Sequence, residues 1–372
     1  MGGSYPNDRE WMPESDTICG YTLADVRKTL RDAIDFRERR KAHRWTAELV
    51  VTPGAVGSLW SAYWMAWSVA QGAGSASPTL PILLKQSWTD IAAKAHDYAG
   101  DWSAFRNDPA VRAIAADTTE RLLNQSRQTP VVWPSREVIL YDVGTMREQQ
   151  PPPAVDSSVV LAVWERNEDS MELRMMAGRW LTFLTAGDLR SALSCVAWTL
   201  LPAVQQSLPQ PLKVADRGPS TLPPKARISP LWFWLEIGRA YLKSKPDLHR
   251  GWITMNAAIT DAFRSNYRRW TPVDRMRVLL AWILQIRASM TPHPNDLWTA
   301  LPIDLTAAEV DLPYKEVAAE LANPQVAIQK PVQQKKKEEE DGKKAVSERA
   351  MTKMATADAA IYAALGLTEE DV

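Results

Sequence analysis

The residues that could carry out chemistry are few in this chain and do not form a catalytic pattern. The histidines are His43, His96, His249 and His293. Neither these residues nor the cysteines stand at the spacing of a zinc site. The sequence also lacks the G-x-S-x-G nucleophile motif, the Walker lysine loop and the C-x-x-C pair. We therefore expect a protein that is not an enzyme and that needs no metal or cofactor.

Basic side chains alternate with aromatic rings in three segments, at residues 37–45, 225–234 and 264–277. Cations can neutralise the phosphates of single-stranded nucleic acid, and aromatic rings can stack on its bases. The cations predicted to bind phosphates are Arg37, Arg39, Arg40, Lys41, Arg44, Lys225, Arg227, Arg264, Arg268, Arg269, Arg275 and Arg277. The alternative for each segment is a solvated helix face, because exposed arginines and lysines commonly serve solubility alone.

The densest of these patterns lies within residues 231–290. A helix is expected over residues 248–267, because apolar residues recur there at the helical period. That apolar stripe is formed by Leu248, Trp252, Met255, Ile259, Ala262 and Phe263. Arg264 and Arg268 fall on the opposite face of this helix. Pro272 then ends the pattern and opens a second helix.

The elements that must position these side chains are mainly α-helices. We expect two helical lobes with a small β-hairpin or hinge between them, an extended N-terminal arm and a tethered C-terminal helix. The expected domains are the arm (1–21), the N-terminal lobe (22–130), the strand or hinge region (131–166), the C-terminal lobe (167–324), a charged disordered linker (325–345) and a C-terminal helix with an acidic tail (346–372).

Two local patterns define the first lobe and the hinge. Thr22 and Asp25 form a possible capping box, which predicts a helix from there to about residue 41. Residues 137–143 and 158–164 are rich in β-branched and aromatic side chains, which favours two short strands. Cys195 stands among apolar residues in a predicted helix, so we expect a buried and inert thiol.

The overall charge excludes a purely electrostatic attraction of the whole chain to a polyanion. Lysine plus arginine and aspartate plus glutamate both number 44, so any charged partner must be held by local patches. Two cysteines are too few for a disulfide framework and favour a reducing compartment. No apolar run approaches the roughly 20 residues that span a bilayer, so no membrane partner is expected. We expect an intracellular location, in the cytoplasm or in a virion.

The combination of basic and aromatic segments with two terminal arms favours binding and assembly. If the two lobes meet at the hinge, the three segments line a shared cleft for single-stranded RNA. Exchange of terminal elements between identical subunits is a low-cost route to oligomers and filaments. This organisation is similar to that of helical nucleocapsid proteins, although the chain matches no motif of that family. The sequence thus predicts an RNA-binding coat protein that forms homo-oligomers through its N-terminal arm and C-terminal helix.

The alternative function is a helical scaffold or adaptor that binds proteins and no nucleic acid. In that case, aromatic stripes such as Trp60, Tyr63, Trp64 and Trp67 would form apolar interfaces, and the arginines would form a solvated face. Salt distinguishes the two functions, because polyanion binding weakens steeply with salt and apolar association does not.

Overall fold

The computed structural model describes residues 16–71, 78–98, 100–126, 131–148, 157–201, 212–290, 298 and 303–322. The helices in chain order are α1 Leu23–Asp35, α2 Arg39–Val51, α3 Val56–Val69, α4 Thr79–Asp97, α5 Trp102–Asn107, α6 Pro109–Asn124, α7 Arg136–Glu148, α8 Ser158–Leu161, α9 Met171–Ala186, α10 Leu189–Leu200, α11 Pro224–Arg227, α12 Pro230–Lys243, α13 Arg250–Asn266, α14 Pro272–Ala288 and α15 Ala307–Leu321. Among these residues, the only β pairing is one isolated bridge between Asp16 and Thr22. The predicted mainly α class is confirmed.

The chain divides into two compact units. Unit 1 takes its described residues from the ranges 1–70, 79–127 and 298–350, and unit 2 takes most of its own from 128–297. Unit 1 thus contains α1 to α6 together with α15, although α15 lies within the predicted C-terminal lobe of residues 167–324. None of the described helices is both long enough and apolar enough to cross a membrane.

Helix α3 forms the centre of unit 1. Its aromatic residues Trp60 and Trp67 are fully buried, and so is Tyr63 between them. The Tyr63 hydroxyl lies 3.2 Å from the hydroxyl of Thr46 on α2 and 2.8 Å from that of Thr119 on α6. Three helices therefore meet at a hydrogen-bonded cluster inside an apolar core, which satisfies the buried hydroxyls.

The helix expected from residue 22 to about residue 41 is wrong in its length. Helix α1 ends at Asp35, and α2 begins only at Arg39. Arg37 between them has a φ of 56°, in the left-handed region. The N–H of Arg37 donates to the carbonyl of Ile34, and that of Glu38 donates to the carbonyl of Ala33. These bonds satisfy the end of α1, so the break is stable even though no glycine marks it.

The two strands expected at 137–143 and 158–164 are also wrong. Residues 136–148 form helix α7, and residues 158–161 form the short helix α8. Ile139, Val143 and Met146 are buried and stand at positions i, i+4 and i+7, which is the helical period. Packing of this apolar stripe overrides the β-propensity of its branched side chains, because that propensity depends strongly on context.

The core of unit 2 is built from tryptophans on three helices. Trp180 of α9 stacks parallel to Trp282 of α14, with 6.0 Å between the ring centroids. Trp234 of α12 meets Trp180 edge-on at 5.7 Å. The Trp282 indole N–H donates to the Asn256 side-chain oxygen over 2.7 Å. Gly238 of α12 lies directly against Trp282, because a Cβ built there would stand 2.2 Å from its Cζ2 atom.

The described part of the predicted N-terminal arm packs against unit 1. The N–H of Ile18 donates to the Thr52 hydroxyl over 3.1 Å, and that of Cys19 donates to the Glu48 carboxylate over 3.0 Å. Residues 1–15 of the arm, the predicted linker at 325–345 and the predicted C-terminal helix lie outside the described residues.

Candidate nucleic-acid interface

Unit 2 brings together two of the three predicted basic segments. The guanidinium of Arg268 donates to the carbonyl of Thr221 over 2.6 Å, which joins the end of α13 to the turn before α11. The Trp232 ring stacks on Tyr267 with 5.6 Å between centroids, and its N–H donates to the carbonyl of Ala226. The segments at 225–234 and 264–277 therefore form one continuous region of unit 2.

The local sequence explains why cations meet at this point. Helix α13 ends at Asn266, close to the predicted end at residue 267, and α14 begins at Pro272. A capping box between Thr271 and Asp274 fixes the start of α14. The short connection places the end of one helix beside the start of the next.

Tyr267 is the centre of this region, and sequence reasoning did not single it out. The guanidinium carbon of Arg275 lies 4.3 Å from the centroid of the Tyr267 ring, within cation–π range. An aromatic residue at a helix end, followed by Arg268 and Arg269, was the available signal. We define the basic–aromatic surface by its members Lys225, Arg227, Arg264, Tyr267, Arg268, Arg269 and Arg275.

The cations of this surface differ in their partners. Arg227 pairs with Asp216 at 3.0 Å, and Arg264 pairs with Asp261 at 3.2 Å. The guanidinium of Arg268 instead donates to the Thr221 carbonyl, and that of Arg269 donates to the carbonyl one helical turn back. A carbonyl oxygen is neutral, so these two bonds fix the guanidinium groups without neutralising them. Arg268 and Arg269 are also exposed, which leaves them available to an anion.

The tryptophans of the two segments in unit 2 do not provide stacking faces. Trp232, Trp234 and Trp270 are all buried in unit 2. Their rings pack in the core beneath the cations. These tryptophans therefore cannot stack on bases as the sequence predicted. Tyr267 is half-buried and is the aromatic member that the surface presents.

The third predicted segment, residues 37–45, lies in unit 1 and is rich in ion pairs. Arg37 differs from its neighbours, because its guanidinium donates to the Gln125 carbonyl at 3.2 Å. The other cations pair with carboxylates: Arg39 with Glu120 and Glu309, Arg40 with Glu316, Lys41 with Glu38, and Arg44 with Glu48 and Glu320. In this arrangement the cations of α2 already have anionic partners inside the unit.

One of these pairs belongs to a buried polar cluster. The side chain of Glu48 is fully buried, and that of Arg44 is 13% exposed. Glu320 accepts from both Arg44 and the hydroxyl of Tyr21. Burial, reinforced by the Glu48 charge, raises the pKa of the Cys19 thiol above its usual value. Burial and the bond to Glu320 likewise raise the pKa of Tyr21, so both groups stay protonated at neutral pH and serve structure.

Cys195 is buried in unit 2, as the sequence predicted. Its side chain is 0% exposed, and its sulfur lies 3.8 Å from that of Met146. Burial raises the pKa of the thiol, and a protonated thiol is a poor nucleophile. Across the described residues, no group of three or more His, Cys, Asp or Glu side chains could hold a metal ion.

Comparison of the chain with protein-family models, with curated proteins and with solved structures finds no match.

Proposed function

We propose that this chain is a non-enzymatic, nucleocapsid-like protein that binds single-stranded RNA through the basic–aromatic surface of unit 2. The observation that carries the proposal is that Arg275 lies over the Tyr267 ring and Trp232 stacks on the same ring, so that two separate basic segments meet there. Five arginines and Lys225 share this surface, and two of the arginines pair with carboxylates, Arg227 with Asp216 and Arg264 with Asp261.

The chemistry of the surface suits a phosphate backbone. A guanidinium group is planar and always charged, and its N–H groups bind two phosphate oxygens at once. A phosphate would give Arg268 and Arg269 the anionic partner that their carbonyl contacts lack. Neutralising several phosphates releases condensed counterions, which supplies affinity without a sequence requirement. This mode of binding fits a protein that coats RNA of any sequence.

The self-assembly part of the proposal rests on the sequence of the two ends. The N-terminal arm and the helix expected at 346–365 would each reach a neighbouring copy, and head-to-tail exchange of such elements generates open filaments. The proposed partners are thus RNA and further copies of the chain, in the cytoplasm or in a virion.

The variant Arg264→Glu, Arg268→Glu, Arg269→Glu tests the binding surface. Titration of a fluorescent single-stranded oligouridine at several salt concentrations measures both affinity and salt dependence. The slope of log K against log salt is negative for polyanion binding. Loss of three phosphate contacts should make it less steep by about 2. We expect binding to weaken by roughly a hundredfold or more at low salt, because three attractive charges become repulsive.

A matched control carries the same change of net charge elsewhere in unit 2. Arg136, Arg166 and Lys243 are exposed, so their replacement by Glu should leave the fold intact. This control should lose much less affinity than the test variant. Equal losses in the two variants, or wild-type affinity in the test variant, would contradict a localised RNA surface.

One observation favours the alternative of a protein-binding adaptor. Tyr141 and Leu140 on α7 are 71% and 42% exposed, so this helix presents two adjacent large side chains that a partner protein could cover. In contrast, Trp60 and Trp67 are buried in unit 1, so the aromatic stripe of α3 is not the adaptor's interface. A partner protein that stays bound in high salt and is lost with Tyr141→Ser would favour the adaptor.

A further inference from the structure

Helix α15 places a row of carboxylates against the basic residues of α2 within unit 1. The distances between the charged atoms are 3.4 Å for Arg39 and Glu309, 2.8 Å for Arg40 and Glu316, and 2.7 Å for Arg44 and Glu320. These three arginines are among the cations that the sequence predicted to bind phosphates. The cations on this face of α2 are therefore paired with the carboxylates of an acidic helix of the same chain.

A second contact holds α15 on α6. The guanidinium of Arg112 pairs with Asp311 at 3.1 Å and lies 4.4 Å above the Tyr314 ring. The buried residues of α15 are Pro313, Tyr314 and Val317. These three side chains anchor α15 by apolar contact, and the charge pairs add to that attachment.

Two of the three charge pairs between α2 and α15 lie at the surface. The side chains of Arg39 and Glu309 are 53% and 45% exposed, and that of Arg40 is 85% exposed. Exposed pairs contribute little to stability, because water and salt screen them. A polyanion can therefore replace the carboxylates at Arg39 and Arg40, whereas the Arg44–Glu320 pair lies deeper, with its side chains 13% and 9% exposed.

We propose that α15 is a built-in acidic cover over a second RNA-binding surface, formed by Arg39, Arg40 and Arg44 on α2. This inference rests on the proposed RNA-binding function. Phosphates and carboxylates occupy the same guanidinium positions, so RNA and α15 compete for one face of α2. After departure of α15, Arg39 would keep Glu120, Arg44 would keep Glu48, and Arg112 would keep its bonds to the Arg106 carbonyl and the Asn107 side chain.

The variant Glu309→Gln, Glu316→Gln tests the cover. Glutamine retains the size of each side chain, and at position 309 it preserves the capping box of α15. The control is Asp90→Asn, Asp97→Asn on α4, because both residues are exposed and the change of net charge is the same. With labelled oligouridine, the test variant should bind about threefold to tenfold more tightly than the control variant.

Hydrogen exchange provides a second measurement on the unmodified chain. Addition of oligouridine should speed exchange of the α15 amides at 307–321, because RNA displaces the helix from α2. The α3 amides serve as the internal control and should keep their rates, since this helix is the buried core of unit 1.

Each outcome decides between the inference and the function on which it rests. Equal affinity of the two variants, with unchanged exchange in α15, would overturn the cover and leave RNA binding by unit 2 intact. Failure of the wild type and of the test variant to bind oligouridine would overturn both proposals. Binding by the test variant alone would support the cover most strongly.

Discussion

At the scale of single residues, the partner of each cation decides what that cation can do. Arg268 and Arg40 are both exposed arginines on or beside helices. Arg268 donates to a neutral carbonyl, whereas Arg40 makes two bonds to the Glu316 carboxylate. The first guanidinium remains a net positive charge at the surface, and the second is compensated. Their difference in availability to RNA follows from these contacts.

The contact between Gly238 and Trp282 gives a prediction for stability. Replacement of Gly238 by Ala places a Cβ 2.2 Å from Trp282 Cζ2, and the tryptophan cannot retreat because it is fully buried and stacked on Trp180. We expect the free energy of unfolding to fall by about 1–3 kcal/mol. Urea denaturation followed by tryptophan fluorescence measures the change.

The control for this substitution is Gly144→Ala on α7. A Cβ at residue 144 would meet nothing within 4 Å, so the substitution adds no clash. Alanine is the better helix former by about 1 kcal/mol, and this variant should be unchanged or slightly more stable. A Gly238→Ala protein as stable as the wild type would show that the core adjusts to the extra methyl group.

At the scale of elements, the break between α1 and α2 positions the basic residues of unit 1. Arg37 adopts the left-handed conformation, so the chain turns and α2 starts a new direction at Arg39. Without this turn, the cations at 39–44 would continue along α1. The turn instead places them on α2, where they meet α15.

The backbone conformation of Arg37 gives a second prediction. A side chain in the left-handed region costs about 1–2 kcal/mol, a cost that glycine avoids. The variants Arg37→Gly and Arg37→Ala both lose the bond to the Gln125 carbonyl, so their difference isolates the backbone. We expect the glycine variant to be more stable than the alanine variant by about 1 kcal/mol in thermal or urea unfolding. Equal stability would mean that the turn relaxes when the arginine is removed.

At the scale of the whole molecule, unit 1 is assembled from distant parts of the sequence. Helix α15 begins at Ala307, yet it packs on α2 and α6 near the start of the chain. The intervening residues include those that form the described helices of unit 2. Unit 1 is therefore complete only after the last described helix has been synthesised.

Substitution of Tyr314 tests the assignment of α15 to unit 1. Its ring is 3% exposed and lies beneath Arg112, so Tyr314→Ala should lower the stability of unit 1 by about 3 kcal/mol. Hydrogen exchange should quicken in α2 and α6 and stay unchanged in α13 of unit 2. Leu312→Ala is the matched control, because Leu312 is 55% exposed and its loss should change stability by less than about 0.5 kcal/mol. Faster exchange confined to α13 would contradict the placement of α15 in unit 1.

The sequence by itself determined the features that depend on local patterns. The apolar stripe at 248–263 predicted α13 almost to its ends, since buried side chains recur at the helical period. The pattern failed for α7, because Ile139 and Val143 favour strands locally while their burial stabilises a helix. Burial of Cys195 followed from its apolar neighbours in the chain.

The tertiary structure alone decided which charges meet. The sequence identified Arg40 and Arg268 as equivalent candidates, because local composition cannot show a partner hundreds of residues away. The distance of 276 residues between Arg40 and Glu316 is bridged only when α15 folds back on α2. The meeting of Arg268 with Thr221, 47 residues apart, likewise depends on how α13 packs beside the preceding loop. Such long-range contacts are set by the packing of helices as whole bodies, which is why they were absent from any local pattern.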